Sequence, residues 1–133
     1  YYVHNSYRKN IGKIISFLKY SSNSDDENIK NFAKNLCMHI AALKPEALDE
    51  NSLDQKTVDK ELNIQKELIL NSGKPASVID KILEGKMKKF YSEVTLLNQS
   101  FVLNPDKSVR DIITTDYKDF NFEIKMFNFV SLT

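Results

Sequence analysis

The ten residues from 11 to 20, Ile-Gly-Lys-Ile-Ile-Ser-Phe-Leu-Lys-Tyr, are rich in β-branched and aromatic side chains, and the run is too short and evenly apolar for a surface helix. It predicts a strand with at least one well-buried face. Tyr2-Val3-His4 predicts a short strand before it, with residues 5–10 as the turn, and residues 21–23 form a polar breaker. A helix follows. Ser24 and Glu27 stand at the spacing of a capping box, in which each side chain satisfies a free backbone N–H of the first turn. Asp25, Asp26 and Glu27 also suit the positive end of the helix dipole. Ile29, Phe32, Leu36, Ile40 and Leu43 recur at three- and four-residue steps and form one stripe. Its burial is worth about 1.5–3 kcal/mol per large side chain before entropy is subtracted. Lys44-Pro45 closes the helix, because a residue before proline avoids the α region.

Residues 54–72 predict a second helix with Val58, Leu62, Leu68 and Ile69 as its apolar positions. Gly73 sits where a left-handed cap is needed, and Pro75 suits the first turn of a third helix carrying Ile79, Ile82, Leu83, Met87 and Phe90. So short a link makes the two helices an antiparallel hairpin. Asp59, Lys60, Glu61, Gln65, Lys66 and Glu67 crowd the second helix, so the pair is expected to project from the body rather than to form its core. Past Val94 the chain reads as irregular through Pro105, with apolar Phe101-Val102-Leu103 in the middle. Ser108 to Asp111 can cap a short helix reaching Ile113. Phe120, Phe122, Ile124 and Met126 then alternate with Asn121, Glu123 and Lys125 as a half-buried strand, and a bulge at Met126-Phe127 would keep Phe127 and Phe129 covered. The predicted class is α+β: a small antiparallel sheet of about three strands drawn from the two ends, helices packed on it, and a projecting helical hairpin. No repeat, low-complexity segment or domain boundary stands out.

Composition narrows function more than it identifies it. A chain of 133 residues, 41% hydrophobic and 28% charged, is about one domain with enough apolar material for a core. Nineteen basic against eighteen acidic residues leave a net charge of +1, which argues against a binder held mainly by nucleic-acid phosphates and against a disordered acidic segment. One cysteine forms no internal disulfide and, with two histidines, makes a poor metal site. No apolar run approaches the roughly 18 residues of a membrane span, and no signal segment opens the chain. The start at Tyr1, without Met, is expected of a piece of a longer protein, reduced and cytoplasmic.

Catalytic chemistry is not evident. Gly12, Gly73 and Gly85 are far apart and make no phosphate loop. Cys37 and His39 lie two residues apart on a helix and diverge by about 200°. They read as a small core hydrophobe and a structural histidine with a hydrogen-bonded nitrogen. Asp59, Glu61 and Glu67 read as solvated surface. Lys86, Lys88 and Lys89 beside Phe90 and Tyr91 form a basic cluster that would suit RNA, against the overall charge balance.

Three segments in order carry a resemblance: Met38-His39-Ile40-Ala41-Ala42-Leu43-Lys44-Pro45, then Ser72-Gly73-Lys74-Pro75, then Glu84-Gly85-Lys86-Met87-Lys88-Lys89-Phe90-Tyr91, continued by Glu93-Val94 and Gln99-Ser100-Phe101-Val102. Together they resemble the bacterial elongation factor Ts family, and the likeness runs from Tyr2-Val3-His4 to the last strand. The resemblance implies a guanine-nucleotide exchange factor that binds elongation factor Tu, GDP-bound or nucleotide-free, without covalent chemistry, catalytic residue, cofactor or metal. It implies a C-terminal core domain of dimerization type over residues 1–133, with a coiled-coil hairpin inserted at about 55–92. The family's N-terminal helical domain and N-terminal core half are then absent. So is its Thr-Asp-Phe wedge, a tripeptide that does not occur in this sequence.

Within that core, His4 matches a histidine of the family's Tu interface, and Val102-Leu103 match an apolar docking pair that is usually Val-Met. Leu is close to Met in volume. Two departures accompany the match. The usual His-Gly and Arg-Ile-Gly become His4-Asn5 and Asn10-Ile11-Gly12 with extra residues between them, and Gln-Pro-Phe-Val becomes Gln99-Ser100-Phe101-Val102. Without the resemblance, His4 reads as a surface residue and Val102-Leu103 as a loop on its own core. Self-association, a stand-alone interaction module and an RNA-binding domain stay open as alternatives; no membrane role is implied.

Overall fold

The computed structural model describes residues 1–9 and 11–132, so Asn10, at the end of the predicted first turn, lies outside the described residues. The chain divides into two compact units, one of Tyr1–Pro45 with Ser100–Thr133 and one of Glu46–Gln99. It is an α+β protein.

The first unit is built on a three-stranded antiparallel sheet in the order β1-β2-β5, with β1 at Tyr2–Arg8, β2 at Ile11–Ser21 and β5 at Glu123–Ser131. The central strand is the evenly apolar run, as its pattern predicts. The first strand is longer than expected: the polar residues after His4 stay in register with Gly12 and Ile11, across a shift between Ser6 and Arg8. A backbone ladder needs no apolar side chains, so their polarity hid the strand. A bulge in β5 exists, but it lies between Ile124 and Met126, opposite Tyr20 and Lys19, rather than at Met126-Phe127. Phe122 and Ile124 are buried and Phe127 and Phe129 half-buried, while Met126 falls on the exposed side.

Helix α1, Glu27–Leu43, packs on this sheet. Its cap is Asp26, whose side chain accepts from the Asn28 N–H at 2.8 Å, and Ser24 instead accepts from the Asp26 N–H at 3.1 Å. The helix therefore starts later than a Ser24 box would place it. Ile29, Phe32, Leu36 and Ile40 are buried, but Leu43 is exposed because Lys44 turns left-handed (φ 48°) and ends the helix there. Phe32 is the hub of an aromatic core. Its ring stacks on Tyr117 at 4.1 Å and meets Phe122 and Phe101 edge-on at 5.1 and 5.9 Å, with Tyr20 stacked on Phe122 at 5.0 Å. Fully buried Ser16 adds a polar clamp, donating from β2 to the Cys37 carbonyl at 2.5 Å.

The stretch read as irregular after Val94 contains a two-stranded hairpin, β3 Ser100–Phe101 and β4 Asn104–Ser108. Two residues of strand carry no readable alternation, and Pro105 pointed to a loop. Helix α4 follows at Val109–Thr115, capped by the predicted reciprocal Ser108–Asp111 box.

The second unit contains α2, Gln55–Asn71, capped by Asp54, and α3, Ala76–Val94. Gly73 between them has φ 72°, the left-handed conformation its position calls for. The helices pack antiparallel: Glu61 and Gln65 line one cleft with Phe90 and Glu93, and Ile69 and Ser72 line another with Ile82. Ile69 and Met87 are their buried residues, and Leu68, counted as an apolar packing position, is 58% exposed. At the base, the Leu96 and Leu97 N–H groups donate to the Ala47 and Leu48 carbonyls, and buried Thr95 donates to the Tyr91 carbonyl at 2.6 Å.

Candidate functional site

Val102 and Leu103 form the two-residue turn of the β3–β4 hairpin, 37% and 55% exposed. The residue before them does the anchoring. Phe101 is buried, with its ring edge-on to Phe32 and stacked on His39 at 5.7 Å. Phe32 and His39 lie seven residues apart on α1 and so fall on one face of the helix. The Val102 backbone N–H donates to Nδ1 of His39 at 3.2 Å. A ring nitrogen that accepts carries no proton, so Nδ1 is the unprotonated nitrogen of this buried histidine. The result is an apolar two-residue tip displayed to solvent on a pinned backbone, rather than a loop folded onto its own core.

His4 sits elsewhere, exposed on β1 opposite Ile14, with its Nδ1 3.1 Å from the Tyr2 hydroxyl. The adjoining Asn5 is left-handed (φ 51°). Gly12 is required beneath this strand, because a Cβ there would meet the His4 carbonyl and Val3 Cγ1 at 2.5 Å. His4 and the Val102-Leu103 pair thus belong to different sheets of one unit. Each has its own local support.

The remaining candidates take structural roles. Cys37 is buried, and burial pushes its thiol above the ordinary range, so it is a poor nucleophile at neutral pH. His39 is fully buried and hydrogen-bonded, and what the sequence did not reveal was its partner, a backbone N–H sixty-three residues away. Lys86 and Lys89 share a cleft of about 140 Å³ with Glu61 and Glu93. Those carboxylates offset the positive charge a phosphate backbone would need. Among the described residues, no group of three or more His, Cys, Asp or Glu side chains is placed to hold a metal ion. No helix among them is long and apolar enough to cross a membrane.

Comparison with known proteins bears directly on these motifs. The family model described as Elongation factor TS matches residues 1–133. Elongation factor Ts of Ehrlichia ruminantium (strain Welgevonden) is 40% identical over 128 residues, covering 96% of this chain and 44% of the relative. The Rickettsia felis protein of that name is 37% identical over 130 residues, covering 97% and 42%. The Roseobacter denitrificans one is 48% identical over 110 residues, covering 83% and 36%. The chain spans less than half the length of these curated relatives. With the family matched from end to end, and with the helix-closing Lys44-Pro45, the Gly73 cap and the Phe101-Val102 turn each in a defined structural place, the chain belongs to the elongation factor Ts family of translation elongation factors.

Proposed function

We propose that this chain supplies docking surface for elongation factor Tu in guanine-nucleotide exchange, as a C-terminal core with α2–α3 as its hairpin insertion, acting in the cytoplasm by protein–protein contact and not as an enzyme. Val102 and Leu103 are the apolar contact pair and His4 a second contact. The observation that supports this reading is the exposure of Val102 and Leu103 on a backbone fixed by Phe101 and His39. A preordered apolar tip loses little freedom on docking, so more of its burial appears as affinity. Exchange follows by linkage: whatever binds empty Tu more tightly than Tu·GDP weakens GDP binding by the same factor. The Thr-Asp-Phe wedge does not occur among these residues, so this chain contributes affinity and not the opening of the nucleotide site.

Val102→Asp tests the contact. A carboxylate placed in a docked apolar tip lowers affinity for Tu·GDP about tenfold or more. Because the side chain is exposed, the far-ultraviolet circular dichroism and melting temperature stay near those of the unmodified chain. Unchanged affinity removes Val102 from the interface. A collapse of the dichroism places it in the core. The alternative, a stand-alone interaction module, predicts binding to some other protein and none to Tu.

A further inference from the structure

We infer that His39 is a positioning residue for the Val102-Leu103 turn, holding it in its docking-ready conformation through the bond from the Val102 N–H to Nδ1 and the stack on Phe101. The inference rests on the docking reading above and adds a residue that lies wholly inside the protein.

The hairpin does little to hold itself. Strand β3 has two residues, and among the described residues Ser100↔Ser108 and Phe101↔Asn104 are the pairs across to β4, with a register shift between them. Isolated two-stranded hairpins are marginal in water even when regular. The conformation of the turn must therefore come from tertiary contacts, and His39 supplies two of them from one ring. Its face packs on Phe101, which fixes where the turn begins, and its Nδ1 takes the first N–H of the turn, which fixes its orientation. Phenylalanine would keep the face and lose the acceptor. Asparagine would keep an acceptor at similar reach and lose the face. His39 is 0% exposed, so it makes these contacts without touching a partner itself.

The first test uses the unmodified chain. Nuclear magnetic resonance is expected to show the Val102 amide protected from hydrogen exchange and the His39 Nδ1 nitrogen unprotonated. An amide exchanging at the rate of an open turn overturns the inference, whatever the variants do. The second test measures affinity for Tu·GDP with His39→Leu and His39→Asn, each checked for fold by circular dichroism. His39→Leu should weaken binding roughly three- to tenfold as the turn loses its preorganisation, and His39→Asn should restore part of that loss. A folded His39→Leu chain of unchanged affinity overturns the positioning role, while loss of affinity in Val102→Asp leaves the docking reading standing. If Val102→Asp also leaves affinity unchanged, the docking reading itself has failed and the inference falls with it.

Discussion

At the scale of single residues, burial rather than charge decides the behaviour of the groups that could carry chemistry. Burial raises the Cys37 thiol, and burial followed by the neighbouring Asp116 charge raises the Tyr117 hydroxyl. Both groups therefore keep their protons in the folded chain to a higher pH than in the unfolded chain. An unfolded thiol ionises from about pH 8.5 upward. Beyond that point the unfolded state binds fewer protons than the folded one, and the slope of unfolding free energy with pH turns negative. Stability from these groups is complete below that range and declines as pH climbs through it. Urea unfolding of the chain and of Cys37→Ala, measured from pH 7 to 10, should show the unmodified chain losing ground to the variant as pH rises. A difference independent of pH would remove the thiol from the account. The sequence placed Cys37 and His39 correctly as internal residues of a helix, from their position beside the apolar stripe. It did not reveal that Val102 donates to His39, because a hydrogen bond across sixty-three residues leaves no periodic trace.

At the scale of elements, legibility followed the strength of local punctuation. The end of α2 and the start of α4 were readable from Gly73 and the Ser108–Asp111 box, each a local device that satisfies backbone groups at a helix terminus, whereas the Asp54 cap of α2 was seen only in the structure. The β3–β4 hairpin and the far half of β1 were not, because short or polar strands depend on a partner strand for their hydrogen bonds and show no pattern of their own. The α2–α3 pair offers a clean contrast between two glycines. Gly73 holds φ 72° with open space around it, so Gly73→Ala should cost about 1 kcal/mol or more through backbone strain alone. Gly85 lies inside α3 with nothing within 4 Å of an added Cβ, so Gly85→Ala should stabilise by up to about 1 kcal/mol through helix propensity. Thermal melts of the two variants check the opposite signs. Equal shifts in one direction would mean that the backbone at Gly73 is not left-handed in solution.

At the scale of the whole molecule, the chain matches the elongation factor Ts family from end to end and covers less than half the length of its relatives. The fold class, the sheet drawn from both ends and the antiparallel helix pair could all be read from hydrophobic period and turn residues, since each is set by burial of a face. The candidate site could be read only through family resemblance. An exposed Val-Leu pair and an exposed histidine are unremarkable in a sequence, and it is the anchoring of Phe101 that turns the pair into a presented tip. If affinity resides in this surface and the opening of the nucleotide site resides in the Thr-Asp-Phe wedge, the two should separate experimentally. A titration of the chain against Tu loaded with a fluorescent GDP analogue reads both at once. Saturable binding with no acceleration of nucleotide release is expected. Rapid release at catalytic concentrations of the chain would contradict this separation by showing that this core opens the site unaided, and absence of binding would contradict the assignment of docking to Val102, Leu103 and His4.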